Sequence, residues 1–291
     1  MLDELDALAA LDMDKTMGRA ANRLRITQSA ISKRISMLSE RVGVALLERD
    51  GRRVRLTPAA VALLERTRPL TRELREALAA PGADSGGRLI IGVSESVLAS
   101  WGPMVFARVR ERLPLIEVSW AAHRSLVAIE RVRAGECHLA LCAGGVRTGA
   151  ELAHVALGNE PCVLVSSESL PRLTKKSTID VITIEEGSAS WRSMRVQLRR
   201  LRQAGYRISV NARVQSFAAA TQLALAGFGL GLVPIGIARA LSMSSRHFKP
   251  LPASGVSRPI SLFARPRTLA RSAVSRWVSV VQKQTHAAGI R

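Results

Sequence analysis

The sequence contains no apolar stretch of membrane-spanning length, because glycine, serine or charged residues interrupt every apolar segment. Residues 1–6 are mostly acidic or apolar and offer neither the basic start nor the long apolar run of a secretory signal. We therefore expect a cytoplasmic protein that does not enter a membrane.

Residue types that build catalytic or metal sites are also scarce. The three cysteines, Cys137, Cys142 and Cys162, lie in apolar, strand-like runs without the spacing of metal ligands. We expect buried, reduced thiols, with redox sensing as the alternative. The five histidines form no metal or hydrolase motif, and no glycine-rich phosphate loop occurs. No catalytic residue, metal or cofactor is predicted, and the protein is not expected to be an enzyme.

Acidic residues are outnumbered, since 23 Asp and Glu face 43 Lys and Arg in a chain of 291 residues. Residues 15–57 hold 11 basic and 3 acidic residues, a balance that suits binding to a polyanion. Residues 1–80 as a whole hold 15 basic and 11 acidic residues, so most of the net charge of +20 lies further along. That later part either faces DNA, favours an anionic ligand or has a solvated basic surface.

Residues 16–35 have the pattern of two short helices joined by a tight turn, with Thr16 and Thr27 suited to cap them. Apolar positions at helical spacing define the inward faces, which comprise Met17, Ala20, Ala21 and Leu24, then Ala30, Ile31, Ile35 and Leu38. The opposite face of the second helix carries Gln28, Ser29, Ser32, Lys33 and Ser36. Such a face can enter the major groove and bring glutamine and serine against base edges.

Residues 46–57 are predicted to form two short strands around the turn Asp50-Gly51. This hairpin holds Arg52, Arg53 and Arg55, as a wing placed to reach phosphate or the minor groove would. The alternative for the helical pair is an ordinary small bundle, but the wing and the local charge favour DNA binding.

Four motifs carry a resemblance to a known family: Ala20-Ala-Asn-Arg-Leu24, Thr27-Gln-Ser-Ala-Ile-Ser-Lys-Arg-Ile35, Val42-Gly-Val-Ala-Leu-Leu-Glu-Arg49 and Val54-Arg-Leu-Thr-Pro58. They resemble the LysR-type transcriptional regulators, and the resemblance extends over the whole chain. The departures are Ser29 in place of a frequent proline, Met17 in place of an aromatic residue and Ala60 in place of a glycine. Ser29 could alter which bases are preferred.

The predicted DNA contacts follow from the helix-turn-helix and the wing. Base reading is expected from Gln28, Ser29 and Ser32, and contacts to the DNA backbone from Thr27, Lys33 and Arg34. Arg52 and Arg53 are expected to serve the wing.

A long helix is predicted after the wing, because Thr57-Pro58 is a strong helix start and Pro81-Gly82 a stop. Its apolar seam has the three-and-four spacing of a coiled coil and comprises Ala60, Leu63, Thr67, Leu70, Leu74 and Ala77. The alternative is an amphipathic helix lying on its own domain, and Pro69 indicates a kink. The resemblance implies a dimerising linker helix over residues 58–81, between a winged helix-turn-helix domain (1–57) and an effector-binding domain (88–291).

From residue 88 strands and helices alternate, which predicts an α/β domain with parallel strands. Strands are expected near 88–93, 116–120, 138–142, 162–166, 181–184, 207–211, 229–234 and 260–264, and helices near 101–112, 125–134, 191–204, 216–226 and 268–284. The resemblance implies two lobes like those of type II periplasmic binding proteins. Lobe I would comprise 88–159 and 266–291, and lobe II 160–265.

A ligand site is predicted in the cleft between the lobes, where parallel strands end. Ser94 and Ser96 follow the first strand, and Ser125 follows the second and begins a helix. Each serine could instead be a helix cap. The resemblance adds Thr183, Ile184 and Ser216 from the second lobe.

Three function classes are compatible with these features: a ligand-responsive transcription factor, an enzyme and an architectural DNA protein. The order of the modules favours the first. From this order we expect binding to double-stranded DNA as a homotetramer, a dimer of dimers, with RNA polymerase as a further partner. The effector molecule is expected to be small and anionic, because the hydroxyls and free N–H groups after the first strand suit a carboxylate.

Overall fold

The computed structural model describes residues 1–50, 53–79, 87–170, 174–175, 178–241, 247–251 and 255–290. The chain divides into two compact units, which are described separately. The first comprises Met1–Gly82 and the short segment Arg133–Gly135, and the second comprises Ala83–Val132 and Glu136–Arg291. Among the described helices, none combines the length and apolarity that crossing a membrane requires.

The first unit is a helical domain with a two-stranded hairpin. Its elements are α1 (Leu2–Asp14), α2 (Met17–Leu24), α3 (Gln28–Val42), β1 (Leu47–Asp50), β2 (Arg53–Leu56) and α4 (Pro58–Ala79). Leu8 and Leu11 of α1 are fully buried with Ile31 and Ile35 of α3, so these helices share one core. Helix α1 was not predicted from the sequence.

The predicted caps locate the helix starts correctly. The hydroxyl of Thr16 accepts a hydrogen bond from the backbone N–H of Arg19 at 3.4 Å, and that of Thr27 accepts one from Ala30 at 3.2 Å. Arg25 adopts the left-handed conformation, with φ of 53°, and so forms the tight turn between α2 and α3. Strands β1 and β2 are antiparallel partners, as the predicted wing requires.

Helix α4 continues as one helix through position 69. Its first turns pack on the first unit's own core, because Ala60 is fully buried and Leu64 is buried. Further along, Leu70 and Leu74 are exposed. The helix therefore combines an attached first part with an apolar, exposed second part.

Within its described residues, the second unit is built on one nine-stranded sheet. Its strands are β3 (Gly87–Ser94), β4 (Ile116–His123), β5 (Leu139–Ala143), β6 (Ala153–Val165), β7 (Thr178–Ile184), β8 (Arg207–Val214), β9 (Leu230–Pro234), β10 (Phe248–Pro250) and β11 (Val256–Ala264). The order is β4-β3-β5-β11-β6-β9-β7-β8, with β10 also paired to β6. Strand β3 is parallel to β4 and β5, and β7 is parallel to β8 and β9.

Helices cover this sheet, and the described buried residues around it form three apolar clusters. The helices are α5 (Glu95–Leu98), α6 (Gly102–Arg112), α7 (Ser125–Arg133), α8 (Ala189–Gln203), α9 (Phe217–Leu225), α10 (Ile235–Ala240), α11 (Pro266–Leu269) and α12 (Ser272–Ala287). One large core gathers around Ile91, Leu141 and Trp277, the other large core around Val163 and Met194, and a smaller cluster includes Ile129 and Cys142. The long antiparallel strands β6 and β11 contribute to both large cores, which confirms a mixed α/β domain with two lobes.

Some elements differ from the predictions. Strand β6 begins at Ala153 rather than near 162. Its first half was missed because it is mostly exposed or half-buried and has no continuous apolar run. The predicted closing helix is split into α11 and α12, and the short elements α5, α10 and β10 were not predicted.

Candidate functional site

Helix α3 presents the predicted base-reading residues on one face. Gln28, Ser29, Ser32 and Lys33 are exposed, whereas Ile31 and its neighbours on the inward face are buried. The Oγ1 atom of Thr27 lies 3.0 Å from the Oγ of Ser29. The helix start, with its small polar groups, is therefore open to a macromolecular partner, with no acidic residue in its first turn.

The predicted basic contacts are less uniform. Arg34 is half-buried, and its Nη2 lies 3.2 Å from the Oδ2 of Asp3 on α1, so this guanidinium has a partner within the protein. Arg53 begins β2 opposite Asp50 in the hairpin register, whereas Arg52 lies outside the described residues. Arg55 forms a cross-strand ion pair with Glu48, with 2.5 Å between Nε and Oε1.

A cleft of about 280 Å³ lies in the second unit at the ends of several strands. Four of the six predicted effector contacts line it: Ser94, Ser96, Ser125 and Ile184. Two do not. Thr183 is fully buried and donates a hydrogen bond to the backbone oxygen of Leu232 at 2.8 Å, because strand alternation turns it away from the face that Ile184 presents.

Ser216 is also absent from the cleft wall, although its neighbours Gln215 and Phe217 line it. Its hydroxyl caps α9 by accepting a hydrogen bond from the N–H of Ala219 at 3.3 Å. Ser216 therefore acts as a helix cap, which was the alternative role considered for these serines.

One wall of the cleft carries Ser94, Ser96 and Ser125, and the hydroxyls of these serines differ in their hydrogen bonds. Ser125 donates to the backbone oxygen of Ala143 at 3.0 Å and accepts from the N–H of the same residue at 3.1 Å. Its hydroxyl hydrogen is thus occupied at the end of β5. The hydroxyls of Ser94 and Ser96 lie 3.2 Å apart.

The other wall of the cleft, at the start of α8, includes residues that were not predicted. Gly187, Ser188, Ala189 and Ser190 line the cleft at the start of α8, and Ser188 caps this helix through the N–H of Trp191 at 3.0 Å. The start of a helix carries partial positive charge and favours an anion nearby. A small polar segment between a strand and a helix was the available sequence signal, and it is the same signal that identified Ser94.

Arg124 also lines the cleft and forms an ion pair with Glu185. Glu95 is on the wall as well, so the cleft contains charges of both signs. The electrostatic potential in the cleft therefore depends on how these charged groups and the helix starts are oriented.

A buried ion pair lies behind the cleft. Arg258 of β11 and Glu160 of β6 are register partners, and both are fully buried. The Oε2 of Glu160 accepts from Nε of Arg258 at 3.0 Å and from Nη2 at 2.7 Å. The remaining nitrogen, Nη1, donates to the hydroxyls of Ser96 at 2.7 Å and Ser190 at 3.2 Å.

All three cysteines are buried and free. Loss of solvation on burial raises the pKa of Cys142 to about 12 and that of Cys162 to about 12. Both thiols are therefore protonated near neutral pH and unsuited to rapid oxidation. Within the described part of the chain, no cluster of three or more His, Cys, Asp or Glu residues could hold a metal ion.

Comparison with known proteins identifies both units. Residues 2–61 match the family described as bacterial regulatory helix-turn-helix protein, lysR family. Residues 82–285 match the LysR substrate binding domain.

Relatives resemble the chain over most of its length. An HTH-type transcriptional regulator of Vibrio cholerae is 28% identical over 267 residues, covering 91% of this chain and 90% of the relative. The regulator TfdS of Cupriavidus pinatubonensis is 30% identical over 252 residues, covering 81% and 82%.

Solved structures share the fold. ArgP of Mycobacterium tuberculosis has a TM-score of 0.71 at 22% identity, covering 97% of this chain and 96% of ArgP. CbnR in complex with its target DNA has a TM-score of 0.69 at 21% identity, covering 98% and 99%. The chain therefore belongs to the LysR family of DNA-binding transcriptional regulators, with a helix-turn-helix domain followed by an effector-binding domain.

Proposed function

We propose that the protein binds operator DNA in a sequence-specific manner as an oligomer and responds to a small, anionic effector in the cleft. The observation that carries the proposal is the exposed face of α3, where Gln28, Ser29, Ser32 and Lys33 stand together at the start of a capped helix. Glutamine and serine side chains can donate to and accept from base edges in the major groove. Transcriptional control, with RNA polymerase as a partner in the cytoplasm, is part of the proposal; catalysis is not.

The remaining contacts would position the domain on the duplex. Thr27 and Lys33 lie at the same end of α3 and would meet phosphates, as Arg52 and Arg53 of the wing would. Arg34 would have to leave Asp3 to do the same, which makes its contribution smaller than that of Lys33. The similarity to CbnR bound to its target DNA supports this use of the domain.

Two apolar surfaces support oligomerisation. Leu70 and Leu74 are exposed on the second part of α4, as expected if residues 58–81 pair with a partner helix. In the second unit, a hollow of about 640 Å³ lies beside β4, which is the outermost strand at its end of the sheet. Trp120 in this hollow is 40% exposed and stacks on Phe106 with 4.1 Å between ring centroids. Pairing through both surfaces would give a dimer of dimers.

The effector is proposed to be small because the cleft holds about 280 Å³. An anion would be attracted by the starts of α7 and α8 and by Arg124. Ligand contact with both walls would favour one relative position of the proposed lobes, 88–159 with 266–291 and 160–265. Only a difference in affinity between two such positions could transmit a signal to DNA binding.

The test is selection of genomic DNA fragments by the purified full-length protein, repeated with Gln28→Ala. Gln203→Ala is the matched control, because Gln203 is exposed at the end of α8 in the other unit. Recovery of a discrete interrupted inverted repeat by the wild type and the control, lost with Gln28→Ala, is expected. Salt-sensitive binding to all fragments would contradict the proposal and favour an architectural DNA protein.

A further inference from the structure

The buried pair of Glu160 and Arg258 has more hydrogen bonds than an isolated ion pair needs. The two oxygens of Glu160 are both engaged, since Oε1 accepts from the N–H of Gly236 at 3.1 Å while Oε2 serves Arg258. Among the described residues, Glu160 is the one carboxylate that pairs with this guanidinium. Its Nη1 is left to face the serines of the cleft.

The two serines that Nη1 reaches belong to different walls. Ser96 lies in α5 next to Val97 of the first core, and Ser190 lies in α8 next to Trp191 of the second core. Nη1 carries two hydrogens, enough for one bond to each hydroxyl. The guanidinium carbon also lies 5.2 Å from the ring centroid of Phe217, which lines the cleft.

The direction of these bonds is determined, because arginine donates and cannot accept. Both hydroxyl oxygens therefore accept from Arg258, and their own hydrogens must be donated elsewhere. The hydroxyl of Ser190 donates to the backbone oxygen of Ala143 at 3.3 Å. The hydroxyls of Ser96 and Ser94 share one hydrogen bond at 3.2 Å, in which either can be the donor, and the bond from Arg258 polarises this pair.

Whichever of the two hydroxyls donates to the other, one hydrogen of the Ser94–Ser96 pair is left for the cleft, because both serines line its wall. We propose that Arg258, held by Glu160, is a positioning residue that makes this wall a donor of hydrogen bonds and so selects ligands with a carboxylate over their neutral amides. This inference rests on the proposed binding of an effector in the cleft.

The test compares wild type with Arg258→Lys in the full-length protein. Lysine keeps the charge beside Glu160, but a single ammonium cannot reproduce the planar fork that serves Glu160 and two serines. Arg192→Lys is the matched control, because Arg192 is exposed on α8. The probes are benzoate, succinate and 2-oxoglutarate, with benzamide and succinamide as neutral counterparts, titrated by calorimetry at constant ionic strength.

We expect the wild type and Arg192→Lys to bind at least one acid more tightly than its amide. In Arg258→Lys, acid affinity should fall by about tenfold, as for loss of a charge-assisted hydrogen bond, with little change for the amide. A purely structural role would weaken acid and amide alike. Should the lysine variant fail to fold, the pair Glu160→Gln with Arg258→Gln removes both charges together and leaves no charge buried alone.

Three outcomes would overturn the inference: a folded variant that keeps the acid preference, a wild type that binds amides as well as acids, or a wild type that binds none of these acids. Operator selection with the same preparations separates this failure from that of the proposed function. If the wild type recovers an inverted repeat and Arg258→Lys still prefers acids, the proposed role of Arg258 is wrong and the proposed function stands.

Discussion

Gly144 lies where the loop after β5 meets the start of α8, and replacing it with alanine should be costly. Its φ is +104°, a conformation that residues with a side chain rarely adopt. A Cβ atom there would lie 2.2 Å from the backbone nitrogen of Ser190 and 2.5 Å from the oxygen of Ala189. These atoms belong to the backbone, so the collision can be relieved only if the backbone of α8 or of the loop at Gly144 moves.

The cost has two parts. Backbone strain at such a φ is worth about 1–3 kcal/mol, and insertion of a methyl group into a packed contact is worth about 1–3 kcal/mol. We therefore expect Gly144→Ala to lower the free energy of unfolding by roughly 2–6 kcal/mol. For a domain of this size, each 1 kcal/mol corresponds to about 2–4 °C in Tm, so the melting temperature should fall by at least ~4 °C.

Differential scanning calorimetry of the full-length protein measures this effect, with the adjacent glycine as control. A Cβ at Gly145 would lie 2.9 Å from the side-chain Oγ of Ser193, which can rotate away, and 4.0 Å from the backbone nitrogen of Ser193, whereas a Cβ at Gly187 would meet nothing within 4 Å. Gly145→Ala and Gly187→Ala should melt close to the wild type. A melting temperature of Gly144→Ala equal to that of these controls would refute the argument from close backbone approach.

Three further predictions concern the cap, the thiols and an ion pair. Thr27→Ala should lower the free energy of unfolding by about 0.5–2 kcal/mol, measured by urea denaturation, whereas Thr27→Ser keeps the hydroxyl cap and should stay near wild type. Burial raises the pKa of Cys142 and of Cys162 from the model-compound value of 9.0 to about 12. The thiols therefore ionise at lower pH in the unfolded chain than in the folded one, so stability should be lost as pH rises from 9 towards 12. Equal urea midpoints at pH 8 and pH 10.5 would contradict this. Burial tends to raise the pKa of Asp12, but hydrogen bonds from Lys15 and Arg68 outweigh it and lower the pKa. The ionised carboxylate therefore stabilises the folded protein, and Asp12→Asn should lower the free energy of unfolding at pH 7. The difference between this variant and the wild type should disappear as the pH falls and the wild-type carboxyl becomes protonated.

Helix positions in the first unit could be predicted because their signals are local. Thr16 and Thr27 cap the helices three residues from their hydrogen-bond donors, and the apolar periodicity lies within each helix. Helix α1 lacks such a signal, since Met1 at its start makes no side-chain cap. Its burial depends on α3 and α4, whose packing the residues of α1 alone do not encode.

The cleft was partly predictable for the same reason. Ser94 and Ser125 follow strands, and the ends of parallel strands gather at a ligand site. Arg258 and Glu160 could not be found in this way, because they are 98 residues apart and lie just outside the strands predicted near 162–166 and 260–264. Buried charges are rare unless paired, and only the antiparallel register of β6 and β11 reveals the pair.

The two large cores of the second unit are completed during synthesis in the reverse of the order in which they begin. The core of the first unit uses residues between Leu5 and Leu64, and domains generally fold as units during synthesis, starting from the N-terminus. The lobe core that begins at Leu89 also needs Trp277 and Val281 from α12, whereas the other lobe core ends with Val256. A growing chain can thus complete the core of its helix-turn-helix domain before the core of either lobe. We therefore expect DNA binding to mature during synthesis earlier than the proposed response to a ligand.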